Sequence, residues 1–78
     1  MKFKKHNKEV FELQRNLNND IQFMALNVDN EEVYNAYKIY LGVIIKKHWA
    51  LVKEMRFNLK PSECACLVDI MDYIELSY

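Results

Sequence analysis

Turn-forming residues are almost missing from this chain: it has one glycine, Gly42, and one proline, Pro61, in 78 residues. Sandwiches and barrels need frequent tight turns, and Gly and Pro build most of them. Their scarcity argues for helices. Cysteine is scarce too. Cys64 and Cys66 are the two present, and on a helix that spacing points them apart, so they do not readily bridge. Free thiols fit a reducing compartment. Net charge is zero, from 11 basic and 11 acidic residues, so bulk charge gives no argument for nucleic-acid binding. No apolar run approaches the ~20 residues that span a bilayer. The longest, Ile39 to Ile45, stops at Lys46 and Lys47. The opening MKFKKHNKEVFEL lacks the apolar stretch of a signal peptide. A cytoplasmic protein without membrane contact is expected.

What is present is apolar surface. Half of the residues are hydrophobic (51%), so the chain is not a disordered one. Its length suits one domain, residues 1–78. A core of that size supplies only ~3–5 kcal/mol, and oligomerisation is a common supplement.

The stretch from Asp29 to Asn58 organises the rest. Asp29 and Glu32 have capping-box spacing, and Val28 and Val33 flank them as a hydrophobic staple. Glu31 and Glu32 suit the positive end of a helix dipole, and Lys53 and Arg56 the negative end. Asn58 suits a left-handed cap, and Pro61 blocks continuation. One helix over 30–57 would be ~42 Å long. Val33, Tyr34, Tyr37, Tyr40, Leu41, Ile44, Ile45, Leu51, Val52 and Met55 share a wide face. Asn35, Lys38, Gly42, Lys46, Lys53 and Arg56 fall opposite. A second stripe, Ile39, Val43, Ala50 and Phe57, does not belong on a solvated face. Either the flanking helices cover it or another chain does.

Upstream, Val10, Leu13, Leu17, Ile21 and Met24 form a seam that predicts a helix over 7–26. Asn18, Asn19 and Asp20 are poor helix formers and offer a kink or a split, but a single helix is the preferred reading. Downstream, Pro61, Ser62 and Glu63 open a helix over 61–76, with Cys64, Leu67, Ile70, Met71 and Ile74 inward and Asp69, Asp72 and Glu75 outward. The expected fold is all-α, a three-helix antiparallel bundle with a long central helix. Antiparallel packing would gather Lys2, Lys4, Lys5, Lys8, Lys53, Arg56 and Lys60 at one pole. Asp20, Asp29, Glu31, Glu32, Asp72 and Glu75 would gather at the other, with Phe23, Tyr34, Tyr37, Tyr40, Tyr73 and Tyr78.

No motif specifies chemistry. Asp69, Asp72 and Glu75, and separately Glu9 and Glu12, have the spacing of acid pairs that hold Mg²⁺, but such a site needs two facing pairs and these lie at opposite poles. A solvated face, or a surface for a basic partner, explains them as well. His48 falls on the apolar face, where a hydrogen-bonded core histidine is the ordinary case. No triad surrounds it, and Cys64 meets it only if their registers match. Two cysteines and two histidines at these spacings make no zinc signature. Neither metal nor cofactor is expected.

Trp49 projects beside Lys46, Lys53 and Arg56. Either the helix over 7–26 or a partner covers it, or it stacks on a base while the cations meet phosphate. Tyr34, Tyr37 and Tyr40 read as core or interface; with Lys38 they could also line a pocket for an anionic ligand. Gly42 either admits a close neighbour or is incidental. In type, though in no motif, such a short chain of helical hairpins resembles small proteins of phages and mobile elements. The leading expectation is a non-enzymatic inhibitor or adaptor that binds a protein partner through Tyr34, Tyr37, Asp69, Asp72, Tyr73 and Glu75. It would form a homodimer through Ile39, Val43, Ala50 and Phe57. The alternative is a binder of nucleic acid or a nucleotide through Lys46, Trp49, Lys53 and Arg56.

Overall fold

A computed structural model describes residues 2–76, with side chains from Lys8 onward. The side chains of Lys2, Lys4, Lys5 and His6, and all of Tyr78, lie outside the described residues. The described chain is all helical: α1 (Lys2–Leu26), α2 (Glu31–Lys47), α3 (Trp49–Met55), a 3-10 turn (Arg56–Asn58) and α4 (Pro61–Tyr73).

α1 runs unbroken through Asn18, Asn19 and Asp20. Its seam holds it there: Leu17, Ile21 and Met24 are fully buried, and Leu13 packs beside them. That burial outweighs the few tenths of a kcal/mol that each polar residue costs in helix propensity. The Asn27 side-chain amide donates to the Phe23 carbonyl at 2.8 Å and closes the helix end. The next cap falls one residue later than predicted. Asn30, not Asp29, accepts from the Val33 amide, at 3.3 Å.

The single long helix predicted over 30–57 is not formed. The chain breaks at His48 (φ −118°, ψ 42°), and no proline or glycine marks the spot. Backbone bonds continue on either side, His48 N–H to the Ile44 carbonyl at 3.0 Å and Val52 N–H to the His48 carbonyl at 3.1 Å. The break leaves both backbone groups of His48 bonded. Its gain is tertiary: Val52 and Met55 fold back into the core that holds Leu41 and Ile45. Asn58 ends a 3-10 turn, and Glu75 is the described non-glycine residue with positive φ, so the left-handed cap expected at Asn58 is absent.

This fold-back also reverses the last helix. Tyr34 meets Asp69, and Gly42 meets Tyr73 and Ile74, so positions on α2 and α4 rise together. The two helices run parallel, both antiparallel to α1, and α3 with its 3-10 turn is the return leg. The antiparallel three-helix arrangement gives way to four helices running alternately down and up. The predicted charge poles do not survive it. Lys60 and Glu63 line a cleft with Gln22, Ala25 and Leu26, at the end where α2 begins with Glu31 and Glu32. Asp72 and Glu75 lie toward the end where α2 finishes with Lys46 and Lys47.

One core joins all four helices: Leu17, Ile21, Met24, Leu41, Ile45, Val52, Met55, Cys66, Leu67, Ile70 and Met71. Cys66 is buried and Cys64 half-buried, although Cys64 carries the inward spacing. Glu63 is buried because its carboxylate accepts the Lys60 amide at 3.1 Å, closing the start of α4.

Candidate interaction surface

α2 carries two flanks and one outward face. On the α4 flank, the Tyr34 hydroxyl donates to Asp69 Oδ2 at 2.6 Å. Lys38 Nζ stands 3.5 Å from the same oxygen, 5.6 Å from the Tyr34 ring centre and 5.9 Å from that of Tyr73. A short hydroxyl–carboxylate bond of this kind is charge-assisted. Burial, then the bond to Asp69, pushes the Tyr34 hydroxyl well above its ordinary range. Burial pushes the neighbouring Cys66 thiol up as well. A tyrosine held neutral beside a lysine turned to a carboxylate is a polar clasp between helices, not the poised base that acid–base chemistry requires. Lys38, assigned by its spacing to a solvated face, completes the clasp.

On the α1 flank, Tyr37 stacks at a tilt on Phe23 with ring centres 4.9 Å apart, and Tyr40 meets Tyr37 edge-on at 6.3 Å. The six predicted partner-binding residues thus divide. Tyr34, Asp69 and Tyr73 gather around Lys38, Tyr37 belongs to the opposite flank, and Asp72 and Glu75 are exposed at the end of α4. Tyr40, expected on the buried face, is exposed.

Between the flanks, the outward face of α2 is apolar and uncovered. Ile39 is 53% exposed and Val43 69%. Ala36 and Tyr40 are exposed beside them, completing i, i+3, i+4, i+7 spacing over Ala36, Ile39, Tyr40 and Val43. Ala50 and Phe57 are exposed too, but beyond the break at His48 they lie on α3 and the 3-10 turn, so the predicted stripe is not one continuous helix face.

The predicted cationic group is rearranged. Trp49 packs half-buried against the core. The Arg56 guanidinium lies 4.8 Å from the Phe57 ring centre, while Lys46 and Lys53 are exposed. His48 sits half-buried at the break. An open cleft of about 270 Å³ lies between α1 and the return leg, lined by Phe11, Gln14, Arg15, Asn18, Met55 and Asn58. Neither this cleft nor the one beside Lys60 includes Tyr34, Tyr37 or Lys38. Among the described residues, no three His, Cys, Asp or Glu side chains converge as metal ligands, and no helix is long and apolar enough to cross a membrane.

Comparison with protein-family models, with curated proteins and with solved structures gives no match.

Proposed function

We propose that this is a small, cytoplasmic, non-enzymatic binding protein that acts by occupying a protein partner, as inhibitors and adaptors do, and that it associates with a second copy of itself. The observation that carries the reading is uncovered apolar surface on a regular helix face: Ile39 and Val43 are more than half exposed, with Ala36 and Tyr40 in register. Beside it, the clasp around Lys38 fixes an edge where Tyr73 is 52% exposed and Asp72 stands next to it. Tyrosine is among the residues enriched at binding hot spots, and an adjacent carboxylate can steer a basic partner. Two free thiols fit a reducing compartment.

The test is capture from the native host with wild type and with Tyr73→Ser, after circular dichroism shows equal folding. A partner held by wild type and lost by Y73S supports the reading; equal retention overturns it for that edge. A second reading, binding of an anionic ligand, is favoured by one observation, the exposed Phe57 ring beneath the Arg56 guanidinium. A base could stack there while Lys53 meets phosphate. Phosphate-driven binding falls steeply with salt, and an aromatic-anchored protein contact does not.

A further inference from the structure

We infer that the second copy binds the outward face of α2 in the antiparallel sense, about a two-fold axis between Ile39 and Tyr40. This rests on the self-association proposed above and gives it an orientation and a register. The apolar positions Ala36, Ile39, Tyr40 and Val43 are continued along the same face by Glu32 at one end and Lys47 at the other, both exposed. All six fall within ~100° of arc, directly away from buried Leu41 and Ile45. Glu32 and Lys47 are ~22 Å apart along the axis.

Charge selects the orientation. A parallel pair would set Glu32 against Glu32 and Lys47 against Lys47. The antiparallel pair sets Glu32 against Lys47 at both ends. The midpoint of those two charges is also the midpoint of the apolar run. One register therefore places Ile39 against Tyr40, Ala36 against Val43 and both ion pairs together, with the small Ala36 side chain admitting the partner's Val43. The helix dipoles oppose each other in the same arrangement, which is favourable, and Glu31 and Lys46 add to the field at each end. The interface is isologous and closes at two copies. One helix face per copy lies at the low end of specific interface areas, under about 1,200 Å² in total, so dissociation in the micromolar range is expected.

The test is sedimentation equilibrium of the full chain at low and at high salt, with wild type, Glu32→Lys, Lys47→Glu and the double reversal. Each single reversal turns two attractive pairs into two repulsive ones and is expected to weaken association about tenfold at low salt. The double reversal restores both pairs and should return affinity to within about twofold. Val43→Arg should abolish association, with its thermal melt at high dilution showing that the fold is kept. A dimer indifferent to the reversals, or one that the double reversal fails to restore, overturns the register while leaving self-association standing. A monomer at ~100 μM overturns both and assigns the face to a different protein.

Discussion

Replacing Gly42 by alanine sets two quantities against each other. In a helix interior the exchange is worth about 1 kcal/mol in favour of alanine. At this site a Cβ would lie 2.9 Å from Ile74 Cγ2 and 3.7 Å from the Tyr73 ring, whereas carbon atoms settle at about 3.5–4.0 Å. Ile74 is not free to withdraw. It caps α4, and behind it the Leu76 amide is bound to the Met71 carbonyl at 2.8 Å. Overpacking of this kind costs about 1–3 kcal/mol, so Gly42→Ala should destabilise by about 1 kcal/mol despite its better propensity. The sign should reverse once the obstructing methyl is gone. In an Ile74→Ala background the same change should stabilise by about 1 kcal/mol, a coupling of about 2 kcal/mol. Ile74→Val keeps the methyl and should behave as wild type. Urea unfolding followed by circular dichroism at constant m-value reads all of these. Stabilisation of the wild-type background by the full propensity gain, or equal effects in both backgrounds, would refute the packing assigned to α2 and α4.

Tyr34→Phe removes the donor to Asp69 and is expected to cost about 1 kcal/mol at neutral pH, discounted because the carboxylate is 41% exposed. The hydroxyl is raised above its ordinary value of 10.0. The stability it contributes is therefore fully present below pH 10 and is lost as pH rises above it; Y34F should flatten that alkaline limb of a pH–stability profile. Glu75 has φ 59°, and glycine suits the left-handed residue that follows a helix. Glu75→Gly should gain about 0.5–1 kcal/mol in the same urea assay, and a loss would place an unrecognised contact at Glu75. Cys66 is 4% exposed with its thiol raised by burial, so a chromogenic disulfide should titrate one thiol, Cys64, in the native protein and two after unfolding. Cys66→Ser removes the second equivalent; prompt titration of both thiols in native buffer would contradict the packing of α4.

Much of this fold was legible because it is written in local periodicity. The 3-4-4-3 steps of α1 predicted its buried seam, and Pro61 predicted the start of α4. Ile39 and Val43 of the outward face were legible for the same reason, since apolar residues on the far side of a helix conflict with solvent wherever its neighbours stand; Tyr40 was not, because its spacing also fits the buried side. The break at His48 was not. Its neighbours are ordinary helix formers, and the force that bends the chain there is burial of Val52 and Met55 against residues distant in sequence. Missing that break inverted α4, and with it the charge poles. Cys66 was missed because α4 is buried from two sides, by α1 and by α2, so a single inward arc understates what it covers. The clasp of Tyr34, Lys38 and Asp69 depends on the parallel register and could not be found from spacing within one helix.

The last helix contributes Cys66, Leu67, Ile70 and Met71, four of the eleven side chains that make up the shared core. As the chain is made, α1, α2 and α3 can form and meet before it, but the core they share then lacks those four side chains. Their greasy faces wait for synthesis to deliver the wedge that fits between α1 and α2. Until then the apolar surface that α4 covers stays open to water, the condition in which incompletely folded chains are prone to aggregate.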